Sequence, residues 1–188
     1  MEILIFNKPL RILLATNVFV QIAGAMLGPI YALFVKEIGG DILGASLTGG
    51  IFALTAGITT LIAGRYTDKV KEKELIVAFG YAVMGIGFFM LNFVHSLWSL
   101  FLVQGLIGFA EAFYAPAFDV LYSKHLTAKR AGREWGAWEA SYYFSAAGGA
   151  AIGGIIVKLF GFHALFVIMA LLCFGSAIYI WRLPRKLL

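Results

Sequence analysis

The sequence predicts an all-α integral membrane protein with six transmembrane helices and both termini cytoplasmic. Composition, the spacing of apolar runs and the distribution of charge lead there. Of 188 residues, 61% are hydrophobic, 15% aromatic and 13% charged. That apolar share exceeds the range of soluble domains and leaves too little polar surface to cover a globule. Runs of the roughly 20 apolar residues needed to cross a bilayer fall at about 12–35, 44–63, 75–94, 97–122, 135–157 and 164–181. They form a single domain over 1–188. The formal net charge of +5 does not indicate nucleic acid, because the basic residues lie in short segments between apolar runs and not on one folded face.

The charge alternates from one connection to the next. One set of segments holds Lys8 and Arg11; Arg65, Lys69, Lys71 and Lys73; Lys124, Lys129, Arg130 and Arg133; and Arg182, Arg185 and Lys186, which leaves only Lys36 and Lys158 of the 15 basic residues for the other set. By the positive-inside rule the first set, with both termini, is cytoplasmic. Trp98, Trp135, Trp138 and Trp181 fall near span ends, where an interfacial aromatic belt belongs. The opening MEILIFNKPLR is too short ahead of the first apolar run to hold a separate cleaved signal, so the chain is expected to be mature as written.

Span one carries Asn17, Gln21, Gly24 and Gly28 at steps of four and three, which is one helix face, polar and small. Asn17 and Gln21 either hydrogen-bond between helices or line a cavity. Pro29 removes a backbone donor and bends the outer end. Span two has a stripe of Ser46, Gly50, Ala53, Gly57, Thr60 and Gly64, read as a helix-packing face. The charged stretch 64–73, GRYTDKVKEK, cannot lie in hydrocarbon and is read as a short loop. Span three has no strong polar group except Asn92 at its outer end. The short turn at His95 and Ser96 makes spans three and four antiparallel neighbours.

Span four is the unusual one. Gln104, Gly108, Glu111 and Ala115 share a face, and Pro116 interrupts the ladder between Glu111 and Asp119. A carboxylate at mid-membrane faces a bundle interior or water and marks a substrate, ion or proton path. That reading attaches to Glu111, whereas Asp119 lies near the cytoplasmic interface. The basic segment SKHLTAKRAGRE is a solvated loop suited to anionic lipid headgroups. Span five holds Glu139, Tyr142 and Tyr143, then the glycine run 148–154, which allows close packing or a hinge. Span six is short and apolar. Cys173, the lone cysteine, is a small buried hydrophobe. His95, His125 and His163 are scattered over loop ends on both faces, so neither a metal site nor a serine–histidine pair is expected, and no enzyme activity. No cofactor is expected.

Gly64, Asp68 and Lys69 in GRYTDK resemble the GxxxDR/K signature between the second and third helices of the major facilitator superfamily. The likeness extends to Gly28 and Pro29, to Gln104 and Gly105, to GREWG at 132–136 and to the glycine-rich fifth span. Four positions depart from it. Lys71 and Glu72 stand where the family loop continues with glycine, Phe101 stands where an arginine is expected, and Ala150 takes the place of the proline in the fifth-helix pattern GPxxGG. The resemblance implies one six-helix half of a secondary transporter, a 3+3 inverted repeat, with a cytoplasmic gate formed by Gly64, Asp68, Lys69, Lys73 and Asp119.

Members usually have twelve helices in two halves around a central site. The expectation is therefore a homodimer whose midplane cavity is lined by Asn17, Gln21, Glu111, Tyr114, Glu139 and Tyr142 of each copy, with Gly57, Gly149, Gly153 and Gly154 serving packing or hinge motion. A different second half, or a fragment of a twelve-helix transporter, is the alternative. The function implied is alternating-access transport of a small molecule or ion in the cell (inner) membrane. Glu111 is placed to carry a proton, and membrane lipids surround the protein. A six-helix substrate-binding subunit of a multi-component uptake complex fits the same span count.

Overall fold

The computed structural model describes residues 6–185 and 187–188; the first five residues and Lys186, which the charge argument used, lie outside the described residues. Among the described residues the regular structure is helical. Helix α1 (Lys8–Leu27) is capped by Asn7, whose side-chain oxygen accepts from Leu10 N at 2.9 Å, and Pro9 sits in the first turn, where its missing donor costs nothing. A 3-10 turn (Gly28–Ile30) holds Pro29 and leads into α2 (Tyr31–Glu37). Gly39, at φ 81°, turns the chain toward Asp41, which caps α3 (Ile42–Lys69). After α4 (Lys73–Met90) and a 3-10 turn (Leu91–Phe93), Ser96 and Ser99 form a reciprocal cap for α5 (Leu97–Lys124). A last 3-10 turn (Ala128–Arg130) precedes α6 (Ala131–Trp181).

Five segments, Lys8–Glu37, Ile42–Lys69, Lys73–Phe93, Leu97–Lys124 and Ala128–Trp181, are long and apolar enough to cross a membrane. The last is 54 residues, and a straight helix of that length would reach about 81 Å against a hydrocarbon core of about 30 Å. It is not straight. Gly161 has φ 79° and ψ 177°, a conformation open in practice only to glycine, and it divides α6 into arms of residues 131–160 and 162–181. Contacts with α1 show that the chain reverses there. Gln21, Ala25 and Met26 meet Ser141, Gly149 and Gly153 in ascending order, so the first arm runs parallel to α1. Thr16 meets Ser176 while Phe34 meets Phe162 and Phe166, so the second arm is antiparallel.

The charged stretch 64–73 is not the loop expected from its composition. Helix α3 continues to Lys69, and only Val70 to Glu72 are non-helical before α4 begins. Charge forbids hydrocarbon but not helix: nothing in GRYTDK lacks an N–H or needs positive φ, so the helix runs on past its apolar section, with Lys69 at the C-terminal end of the dipole. Residues 123–134 are likewise less of a loop than expected. Helix α6 starts at Ala131, and Glu134 is buried, accepting from Thr127 N at 2.7 Å.

Helix α1 packs on α6, α3 on α5, and α4 on both α5 and α6. Helix α4 is mostly buried while α3 is mostly exposed, so α3 is a wall with one face uncovered. Among the described residues the glycines of the small-residue stripe of α3, read as a helix-packing face, meet no partner. Its buried positions are Gly44, Thr48, Thr59, Ala63 and Thr67, while a Cβ built on Gly50, Gly57 or Gly64 would meet nothing within 4 Å. The close approach comes from the other helix. On α5, a Cβ at Gly108 would stand 2.5 Å from the Phe52 carbonyl oxygen, so glycine there lets the two backbones touch.

Candidate functional site

A cavity of about 760 Å³ opens on the uncovered side of the bundle, walled by α1, the Pro29 turn, α3, α4, α5 and the first arm of α6. Its apolar walls include Val20, Phe52, Met84, Phe88 and Ile107, and its polar groups are Gln21, Tyr31, Gln104, Glu111, Tyr114 and Tyr142. Among the described residues Glu111 is the single carboxylate in the lining, and no basic side chain shares it. The cavity extends toward Gly28, Pro29 and Gly49, away from the end of the bundle that carries Lys8, Lys69 and Lys124.

Each wall follows from a local row. On α1, residues 17, 21, 24 and 28 share a face, and the same step of three reaches Tyr31 across the Pro29 turn. Tyr31 Oη donates to Thr48 Oγ1 at 2.6 Å and accepts from Gln104 Nε2 at 3.0 Å, tying α2, α3 and α5 together at the cavity's edge. On α5, Gln104 and Glu111 stand two turns apart on one row. On α6, Tyr142, Ala146 and Ala150 repeat every four residues. Four of the six residues expected to line a cavity, Gln21, Glu111, Tyr114 and Tyr142, meet here.

Asn17 and Glu139 do not. Asn17 is buried below the floor, where its side-chain oxygen accepts from Tyr81 Oη at 3.1 Å, the interhelical bond that was its alternative reading. Tyr81 in turn packs edge-on against Tyr114 with ring centroids 4.7 Å apart, so Asn17 supports the cavity from beneath. Glu139 shares the row of Tyr142 but lies one turn below the level at which the cavity ends, and it is exposed. Tyr31 and Gln104 are additions to the expected set. Row continuity pointed to both, but the bend at Pro29 hid the first.

The gate residues are not joined in this conformation. Asp68, Lys69 and Asp119 are exposed, and Lys73 Nζ donates to the Val70 carbonyl at 2.8 Å. Among the described residues no hydrogen bond or ion pair links Asp68 to Asp119 or to either lysine. Gly149 and Gly153 lie against α1: a Cβ at Gly149 would stand 2.7 Å from the Ala25 Cβ, and one at Gly153 would run into the Met26 carbonyl. Gly57 and Gly154 have open space instead, because both lie on the uncovered side. Among the described residues no cluster of three His, Cys, Asp or Glu side chains could hold a metal ion.

A helical bundle of membrane-spanning length, open along one side onto a largely apolar cavity with one carboxylate, is the architecture of a membrane transport domain and not of a soluble enzyme. Residues 13–187 match the family model of the Major Facilitator Superfamily, and the chain belongs to that family of membrane transporters. It is 29% identical over 179 residues to the multidrug resistance protein MdtG of Salmonella dublin and, equally, to that of Salmonella typhimurium. Each match covers 93% of this chain but 44% of the relative, so the chain spans less than half the length of the curated relatives it matches.

Proposed function

We propose that this chain is one six-helix half of a secondary transporter, in which the α3 and first-α6 walls meet a second half and close the cavity into a central substrate site. The observation that carries this reading is the uncovered side itself. The cavity with Glu111 opens beside α3, and among the described residues nothing lies within 4 Å of a Cβ built on Gly50, Gly57 or Gly64 of the small-residue stripe. Counting the two arms of α6 separately makes six spans, with both termini on the side richest in lysine and arginine, the cytoplasm. The helix contacts support an internal inverted repeat. Exchanging spans one to three with four to six turns the pairing of α1 with the first α6 arm into that of α5 with α3.

The second half is either another copy of this chain or the remainder of a twelve-helix protein. The shared length of 44% with the relatives supports the latter as strongly as like-oriented termini support the former. The aromatic walls and lone carboxylate suit a lipophilic organic cation, in keeping with the names of the multidrug resistance relatives. Glu111 carries the proton coupling: a side chain that alternates between water and protein across the cycle can take up a proton on one side and release it on the other. Gly64, Asp68, Lys69, Lys73 and Asp119 act at the cytoplasmic gate by engaging the other half when the gate closes.

Reconstituting the chain in proteoliposomes, alone and with a candidate second half, and measuring both pH-gradient-driven flux of a lipophilic cation and particle mass tests the reading. Flux is expected only in assemblies of two halves, and Glu111→Gln should abolish gradient-driven flux while leaving assembly intact. Full flux from a monomer, or from the Glu111→Gln assembly, rejects the corresponding part.

A further inference from the structure

On a different side of the bundle, sharing no lining residue with the cavity, α1 and the second arm of α6 leave a groove of about 770 Å³ between them. Lys8 and Arg11, one turn apart in the first part of α1, line one end, and Phe19 and Leu171, exposed by 49% and 63%, line the other. The geometry points to this groove as a binding site for one anionic phospholipid of the surrounding leaflet, its phosphate between Lys8 and Arg11 and an acyl chain laid against Gly175 toward Leu171.

Length, charge and shape support this occupant. Lys8 to Phe19 is eleven residues, about 16 Å of helix, which matches one leaflet of a hydrocarbon core about 30 Å thick. The groove therefore runs from the membrane surface to about the midplane and stops, as an acyl chain does; a transmembrane partner helix would need an apolar strip across both leaflets. Among the described residues no carboxylate lines it to compete for the two cations, and a guanidinium with a neighbouring ammonium is the usual cradle for a phosphate. The walls are preformed. Ser176 Oγ donates to the Thr16 carbonyl at 3.1 Å and fixes the two helices' register, while a Cβ at Gly175 would meet nothing within 4 Å, leaving room for a chain on the surface. Tyr179, half exposed, lies on the α6 wall between Ser176 and the charged end. A free phosphate ion would use only the cations and leave the apolar part of the groove empty.

The test is native mass spectrometry of the purified, delipidated full chain with equimolar phosphatidylglycerol and phosphatidylcholine of the same acyl chains. Phosphatidylglycerol should be retained roughly thirtyfold over phosphatidylcholine, as two interfacial basic residues would give. Lys8→Gln with Arg11→Gln should bring that ratio close to one, and Gly175→Leu should reduce retention of both lipids while keeping the ratio. Equal retention of the two lipids by the unaltered chain, an unchanged preference in the double variant, or full retention in Gly175→Leu would overturn the proposal. So would displacement of the lipid by an equal concentration of soluble glycerol phosphate, since the apolar groove would then contribute nothing.

Discussion

Gly153 and Gly57 each sit in a run of small residues in an apolar span, and the structure gives them opposite surroundings. A side chain at Gly153 would press on the Met26 carbonyl and wedge α1 away from α6, whereas one at Gly57 would point into open space. Gly153→Leu should therefore destabilise the isolated chain by about 1–3 kcal/mol, the range of overpacked cores, and Gly57→Leu by no more than about 0.5 kcal/mol. Thermal unfolding of both variants in detergent checks the contrast. Equal losses would mean that Gly57 already packs against another surface in the preparation. Among the cavity residues, Glu111 was legible because a carboxylate is costly in mid-membrane. Asn17 was ambiguous for the opposite reason: an amide satisfies one buried hydrogen bond as readily as it lines water, and only the position of Tyr81 decided between them.

Two local breaks in the helices set the geometry of the cavity. At Gly161 the chain reverses within one residue, and Gly161→Ala should cost about 1–3 kcal/mol because φ 79° with ψ 177° is strained for any residue with a Cβ. The expected result is a lower unfolding temperature with unchanged helix content by circular dichroism; an unchanged temperature would mean that the break relocates freely within the connection. At Pro29 the helix shifts to a 3-10 turn, and Tyr31, just beyond it, joins α2 to α3 and α5. Tyr31→Phe removes both hydrogen bonds, worth about 0.6 kcal/mol each in membrane bundles, or about 1 kcal/mol together. If this link holds the cavity's edge closed, a cysteine probe at Gly49 should become more reactive to a water-soluble thiol reagent in that variant, with Cys173, fully buried, contributing little background. Unaltered reactivity would assign Tyr31 a packing role only.

For the molecule as a whole, the uncovered side dominates. The glycine stripe of α3 is open, and the cavity beside it rests on the buried hydrophobic core, which supplies Val20, Met84, Phe88 and Ile107 to its walls. A surface of small residues that meets nothing among the described residues of its own chain is suited to a contact with a second half. Gly57→Cys in a chain with Cys173→Ser should form a covalent dimer under oxidation in membranes if two copies pair through this face. Monomers alone would instead favour a different second half, as the length of the relatives allows.

Composition and apolar run length by themselves settled the membrane class, because no soluble fold buries so much apolar surface at this size. The rows at 17–28 and 104–115 located the polar faces of α1 and α5, since side chains three and four residues apart must share a helix face whatever the fold. Family membership was legible from GRYTDK and its companions. The depth of the cavity was not, so Glu139, on the right row, still falls below its floor. Nor was the direction of the α3 stripe: small residues permit close packing against any partner, and whether the partner lies inside the chain depends on which neighbour α3 meets. The tertiary structure chose α5, through Gly108, and turned the stripe outward. It also reduced the charged stretch to a three-residue turn, because charge excludes a segment from lipid without saying whether it stays helical in water.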